Sequence, residues 1–481
     1  MLRNLPLALA VLCASTAPCW ATPAPLASKI DLVSVYEDAV SNNADLAAAR
    51  ADYTARREIV PQARAGLLPN LSAGATVNNT RTEIDQPSVI ASRSGNSYQA
   101  TLSQPIVHAD RWFQLSAAKA ISEQAALQLS AIEQNLIMQS ADDYFGVLRA
   151  QDNLATANAE EAAFKRQLDQ SNERFATGLA DKTDTLQSQA SYDTSRANRI
   201  IAERQVDDAF QALSTLTNRE YNAVQGIVHT LPILPPSPAN ASAWVDTAAQ
   251  QNLNLQASNY AVESAEETLR QRKAGHAPTV DLVARVQKGD NDSLGFSNPN
   301  GLGVTYSGNV EQRTIALQLN IPLYSGGLTN SQVVEADARL DQSEQQREGL
   351  RRQVVEQTRN SFRAVSTDVE QVQARKQSII SNQSAVQATE VGYKVGTRNI
   401  VDVLNAEQQL FSAVRDYNNT RYNYILDNLR LKQAVGTLSA QDLQALKGYL
   451  KADYNPDKDF LPPDLAAAPQ MDIQGVSKRA P

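Results

Sequence analysis

The chain is written twice, and this constrains its fold more than any other feature. Ala65-Gly66-Leu67-Leu68-Pro69-Asn70-Leu71 is answered by Ala274-Gly275-His276-Ala277-Pro278-Thr279-Val280, 209 residues later. Leu102-Ser103-Gln104-Pro105-Ile106 is answered by Leu319-Asn320-Ile321-Pro322-Leu323, 217 residues later. Phe175, Gly178, Asp184 and Leu186 fall in step with Tyr393, Gly396, Asp402 and Leu404 at a constant offset of 218. The order of parts is therefore the same in both halves, with a longer loop in the second.

Each half opens with a helical segment, 31–65 and 242–274; Leu32, Val35, Ala39, Leu46 and Ala49 have helical spacing in the first. A strand follows. Leu71, Ala73, Ala75 and Val77 alternate with polar or small residues, as do Val280, Leu282, Ala284 and Val286. Polar loops are expected at 78–95 and 287–312. Return strands then carry Tyr98, Ala100 and Leu102, and Ile315, Leu317, Leu319 and Ile321. This period-two pattern over about 10 residues fits a transmembrane β-strand, and equally a soluble hairpin with one wet face. Pro69, Pro105, Pro278 and Pro322 sit at the four expected strand–helix junctions, where a residue without an N–H donor is tolerated.

Long helices are expected next, at 110–176 and 328–395. Neither range contains proline, and Ala118, Ile121, Ala125, Leu129, Ile132 and Leu136 step by threes and fours like a coiled-coil seam. Each would span on the order of 100 Å, a rod rather than part of a compact domain. After a tight turn the chain returns as a helix, at 184–217 and 402–436. Aromatic residues make up only 6% of the chain, a composition suited to narrow helical seams.

Residues 1–21 read as a secretory signal peptide: Arg3, an apolar run from Leu5 to Leu12, and a small-residue cleavage site at Cys19-Trp20-Ala21. Its removal would take both cysteines, Cys13 and Cys19, and with them any disulfide. It would also leave the charge one unit more negative than −8, which argues against nucleic-acid binding. The remaining organisation is a first repeat at 22–230, a proline-rich connector at 231–241, a second repeat at 242–450, and a tail at 451–481 expected to be disordered. No later run of about 18 apolar residues follows the leader, so an exported chain of this kind is soluble or a β-barrel. The three histidines, His108, His229 and His276, lack metal-ligand spacing, and His276 reads as a surface residue. With no phosphate-cradling loop or nucleophile elbow, no catalytic site and no cofactor are expected.

Four strands cannot close a membrane barrel, so if these strands lie in lipid several chains must share one. The segments Ile321-Pro322-Leu323-Tyr324-Ser325-Gly326-Gly327, Gly392 to Leu404 and Thr420 to Leu443 supply more. Together with the duplicated order of parts to about residue 450, they resemble the TolC-type outer-membrane efflux and secretion channels. The resemblance implies a mostly α fold with a transmembrane β part. A homotrimer would build a 12-stranded β-barrel in outer-membrane lipid, continuing into a periplasmic α-helical barrel. Residues 219–241 and 437–450 would form a mixed belt around it. The implied partners are a periplasmic adaptor (membrane fusion) protein and an inner-membrane pump or ABC transporter, which supplies the energy for drug efflux or type I secretion. The alternative is a soluble periplasmic coiled-coil scaffold, against which the four proline-flanked strands weigh.

The resemblance also assigns the tip. From spacing alone Asp402 reads as a helix cap or, repeated around a symmetric pore, as a carboxylate ring that attracts cations. The resemblance favours the ring and places Asn405 where the family has a second aspartate. Three charges would then replace six, with weaker cation selectivity. Tyr393 and Arg398 match the residues that hold the family's entrance shut, with Thr183 and Asp184 as their partners. Gly178-Leu179 and Val395-Gly396-Thr397 match the tip motifs that meet the adaptor, Thr177 replacing the usual valine. An ordinary surface ion pair at Arg398 and plain glycine helix ends are the competing readings.

Overall fold

The computed structural model describes residues 29–86, 88–290 and 308–462. The expected signal peptide lies outside the described residues, as do the second hairpin's outer loop and the tail beyond 462.

Three short helices open the first repeat: α1 (Leu32–Asn42), α2 (Ala44–Arg57) and α3 (Ile59–Ala65). The single opening segment read from the sequence is thus broken, chiefly at Asn43. Its side chain accepts from Leu46 N at 2.9 Å, capping α2, while its Nδ2 donates to Leu216 O. The second repeat makes the same break at Asn252, 209 residues on, between α6 (Ala241–Gln251) and α7 (Leu253–Lys273). Asn252 accepts from Leu255 N and donates to Ala434 O at 2.9 Å. One residue type thus caps a helix and ties it to the end of the returning helix, in both halves.

Strand β1 (Asn70–Asp85) pairs antiparallel along its whole length with β2 (Ser88–Val107). The stretch 78–95 is therefore mainly strand and not a loop, because backbone pairing does not need the apolar alternation to continue. Pro105 lies inside β2, where a register shift between Pro105 and Val107 accommodates its missing donor. Strands β4 (Thr279–Asp290) and β5 (Asn309–Asn320) form the second hairpin, and the four-stranded sheet has the order β1-β2-β4-β5. The short strand β3 (Gly226–Ile227) lies outside this sheet. One sheet face gathers Leu71, Val77, Tyr98, Leu317 and Leu319, all exposed. The other carries Ser72, Thr76, Thr101, Arg285 and Gln318.

The long helices are α4 (Ala109–Ala176) and α8 (Leu328–Lys394), returning as α5 (Lys182–Thr217) and α9 (Ile400–Val435). Ala118, Ala125 and Leu136 of the expected seam are buried, whereas Ile132 is exposed. Among the described residues no helix is long and apolar enough to cross a membrane.

Partway along the rod a mixed belt surrounds the helices. Strand β3 (Gly226–Ile227) pairs with β6 (Leu450–Lys451), and α10 (Ala440–Lys447) and α11 (Pro456–Asp459) pack beside them. Contrary to expectation, residues 451–462 are folded. Asn418 Nδ2 donates to Phe460 O at 2.8 Å, His229 Nε2 donates to Asp459 O at 2.7 Å, and Phe460 and Leu461 pack on a core of Val372, Ile379 and Tyr417. Inside the belt Tyr144, Phe145, Leu148, Tyr422 and Ile425 form the main core. Asp152, 1% exposed, accepts from Tyr422 Oη at 2.7 Å and from Tyr454 Oη. Burial pushes its carboxyl up to about 6, against the pull of these two hydroxyls and of Arg421. His276 is exposed, while His108 is buried with Nε2 3.1 Å from Asp281 Oδ1.

Candidate functional site at the helical tip

Two helix–turn–helix tips stand at the far ends of α4–α5 and α8–α9, and their backbones are copies. Gly178 N donates to Phe175 O at 3.0 Å and Gly396 N to Tyr393 O at 3.1 Å. Leu179 N donates to Arg174 O at 2.8 Å, and Thr397 N to Gly392 O at 2.9 Å. Gly178 and Gly396 have φ of 75° and 79°, the left-handed conformation in which a side chain is strained. The two glycine helix ends are therefore real, and they present Leu179 (71% exposed) and Val395 (68%) to solvent. Thr177, at the position of Val395, folds its hydroxyl back onto Glu173 O and Arg174 O.

The side chains around these turns differ. Tyr393 is buried against Phe164, Ile400, Val403 and Leu404, whereas its counterpart Phe175 is 46% exposed. The Arg174 guanidinium lies over the Tyr393 ring, 4.6 Å from its centroid. The Tyr393 hydroxyl has no hydrogen-bond partner among the described residues. Arg398 curls back over Gly392, where a Cβ would stand 2.7 Å from Arg398 Cγ, so the missing side chain makes room for its stem.

Asp402 belongs to a capping box. Asp402 N donates to Asn399 Oδ1 at 2.9 Å, and Asn399 N approaches Asp402 Oδ2 at 3.4 Å. Asn399 is thus the cap and Asp402 its third-position partner. Arg398 Nη1 lies 3.8 Å from Asp402 Oδ2, with both side chains partly exposed. Asn405, one turn further along α9, is exposed. Thr183 and Asp184 sit in the first turn of α5, where Asp184 N donates to Asp181 O at 3.1 Å and no side-chain cap forms. Within one chain neither of them bonds to Arg398 or Tyr393; the Arg398 partner is Asp402. The sequence reading missed Arg174, Asn399 and the role of Gly392. Only Asn399 left a signal, an Asn three residues before Asp at a helix start.

Below the tip, the seam between the two repeats is tied by polar contacts. Arg415 Nη1 meets the buried Glu160 Oε2 at 2.6 Å, and Gln167 Nε2 donates to Glu407 Oε1 at 3.1 Å. Burial raises the Glu407 carboxyl above its ordinary range, although the Gln167 donor opposes this. Among the described residues no three His, Cys, Asp or Glu side chains gather as a metal site would require.

The family model described as outer membrane efflux protein matches residues 35–219 and 244–437, one stretch in each repeat. The chain belongs to this family. It is accordingly an outer-membrane channel protein, and its relatives agree. Outer membrane protein TolC of Escherichia coli is 34% identical over 87% of this chain and 85% of its own length. The TolC of Vibrio cholerae is 34% identical over 88% and 94%. Alkaline protease secretion protein AprF of Pseudomonas aeruginosa is 27% identical over 86% of each. Among solved structures, CusC superposes with a TM-score of 0.74 at 16% identity, covering 87% of this chain and 95% of that one. The outer membrane protein VceC from Vibrio cholerae gives 0.73 at 18%, covering 84% and 96%. These likenesses establish the fold: a long helical part joined to an antiparallel β part.

Proposed function

We propose that three copies of this chain form an exit duct through the outer membrane, extending into the periplasm. The observation that carries this is the joining, in one chain, of a rod of very long helices to an amphipathic sheet with both edges open. Edges open to lipid are prohibitive, so the sheet must be completed by other copies. The duct docks with a periplasmic adaptor and an inner-membrane pump or ABC transporter. The relatives' names span both cargo classes, efflux and protease secretion. The exposed Leu179 and Val395, held out by Gly178, Gly396 and Thr397, form the adaptor-facing knobs.

In this reading three copies of Asp402 ring the entrance. A carboxylate ring in a narrow, low-dielectric mouth favours cations. Asn405 adds no charge one turn on, so selectivity is weaker than with two such rings. The closed tip is held by Arg398 and Tyr393 acting with Thr183 and Asp184. Supporting this, among the described residues the buried Tyr393 hydroxyl has a donor to spare, and the Arg398 guanidinium makes one ion pair, a 3.8 Å contact. Exposed pairs of this kind are worth about 0–1 kcal/mol, small enough for a docking partner to break. The tip hairpins then rearrange to open the duct.

The test is single-channel recording in planar bilayers across a salt gradient, beside Asp402→Ala. A small cation-selective conductance whose selectivity falls in the variant is expected. Unchanged selectivity would remove Asp402 from the entrance. Absence of conductance from a protein that is folded without detergent would favour the soluble scaffold.

A further inference from the structure

The two hairpins establish which strand positions are equivalent. Leu71 lies opposite Leu102 in the first hairpin, and Val280 opposite Leu319 in the second. Strand β4 therefore repeats β1 at the 209 offset and β5 repeats β2 at 217, the same offsets that the flanking motifs show. The contact between the repeats is the β2–β4 ladder, in which Leu102 faces Ala284 and Ala100 faces Val286. The outer sides of β1 and β5 are left open.

Applying the same step once more gives the next ladder. Strand β5 takes the part of β2, and β1 of another copy takes the part of β4. We propose that β5 pairs antiparallel with β1 of a second copy of this chain in one fixed register. Leu319 lies opposite the partner subunit's Ala75, Leu317 opposite the partner subunit's Val77, and Ile315 opposite the partner subunit's Asn79. This rests on the shared-barrel reading above and adds the residue-by-residue seam.

Side-chain chemistry narrows the register but does not complete it. A slip of one residue would turn the apolar positions of β5, such as Ile315, Leu317 and Leu319, onto the polar side of the barrel. A slip of two keeps every apolar residue on the same face, so the hydrophobic pattern cannot distinguish it. The repeat can.

A second observation agrees. Strand β2 runs on to Val107, which lies opposite Val280, whereas β5 stops at Asn320. The residues equivalent to Ile106 and Val107 are Leu323 and Tyr324, which are 92% and 88% exposed in the lone chain. The same step lays Tyr324 opposite the partner subunit's Leu71. Strand β5 is thus extended, and Tyr324, one of the most exposed apolar side chains among the described residues, is brought into the ladder. Pro322 then occupies the position of Pro105, which β2 accommodates at its register shift.

The experiment is oxidative cross-linking of the full chain in detergent, in a Cys13→Ala/Cys19→Ala background. The pairs Leu317→Cys with Val77→Cys and Gln318→Cys with Thr76→Cys sample adjacent positions, one of which is the closely spaced kind. Each single-cysteine variant serves as a control. Covalent dimers and trimers are expected on non-reducing gels for the first or second pair. Their yield should be about tenfold above that of Leu317→Cys with Ala75→Cys or with Asn79→Cys, whose Cα atoms stand too far apart to bridge. Cross-linking mainly through a displaced pair, or none in a protein that light scattering shows to be trimeric, would overturn the register while leaving the shared barrel. A monomer by light scattering would overturn the shared barrel and the register with it.

Discussion

The belt and the tip lie on the same four helices and are built on opposite principles. At the belt, aromatic rings are buried, a carboxylate is sealed under two tyrosine hydroxyls, and the C-terminal segment is strapped across both repeats. At the tip, apolar side chains are exposed, the turns depend on glycine, and the ion pair of Arg398 with Asp402 is long and wet. The same four helices are thus anchored at one level and loosely held at another. The proposed opening of the tip on a rod that stays assembled would rest on this division. The two tips repeat the contrast on a smaller scale: α9 begins with a full capping box and α5 with no side-chain cap. The second tip, with Tyr393 buried under Arg174, is the better held of the two.

The largest effect is expected from Tyr422→Ala. It empties the ring site against Phe145 and strips Asp152 of one donor, and should cost about 3–5 kcal/mol. Phe175→Ala, at the tip, should stay within about 0.5 kcal/mol. Thermal or denaturant unfolding of both variants checks the contrast, and equal losses would break it.

Next in size is a pH effect at the belt. The folded state holds the Asp152 proton more tightly than the unfolded chain does, since its carboxyl is pushed from 3.8 to about 6. This contribution to stability is greatest below 3.8 and is lost as the pH rises through about 6, an effect of about 3 kcal/mol. Asp152→Asn should make the decline over that window shallower than in wild type, the rest being carried by Asp143 and Asp368, whose carboxyls burial also raises. A variant that declines as steeply as wild type would show that the site does not carry it.

The smallest effect on stability is expected at the proposed gate. Arg398→Ala should cost about 0–1 kcal/mol, yet raise the conductance of the channel in planar bilayers. A large loss of stability with unchanged conductance would make Arg398 a structural residue and erase the difference between belt and tip.

Much of this architecture was legible in the sequence because it is periodic or repeated. The proline-free seams placed the long helices to within a residue or two of their ends, and the constant offset placed Gly178 and Gly396 in matching turns. What was hidden depends on contacts between distant segments. Asn43 and Asn252 break their helices because each also finds a carbonyl on a returning helix. Residues 451–462 look like a polar tail until Asn418 and His229 supply donors to Phe460 and Asp459. Asp152 reads as one more charge on a long helix, since nothing local announces Tyr422 or Tyr454. At the tip, Tyr393, Arg398 and Asp402 were identified, but the Arg174 ring contact was not, because Arg174 lies on the other hairpin.

The most direct test of an anchored belt and a yielding tip is hydrogen exchange on the assembled protein in detergent, resolved by peptide. Amides of 177–184 and 395–402 should exchange well before those around Asp152 and Tyr422, with the α5 start ahead of the capped α9 start. Protection at both tips equal to that of the belt would contradict the account, since a tip held that firmly could not open against so fixed a rod.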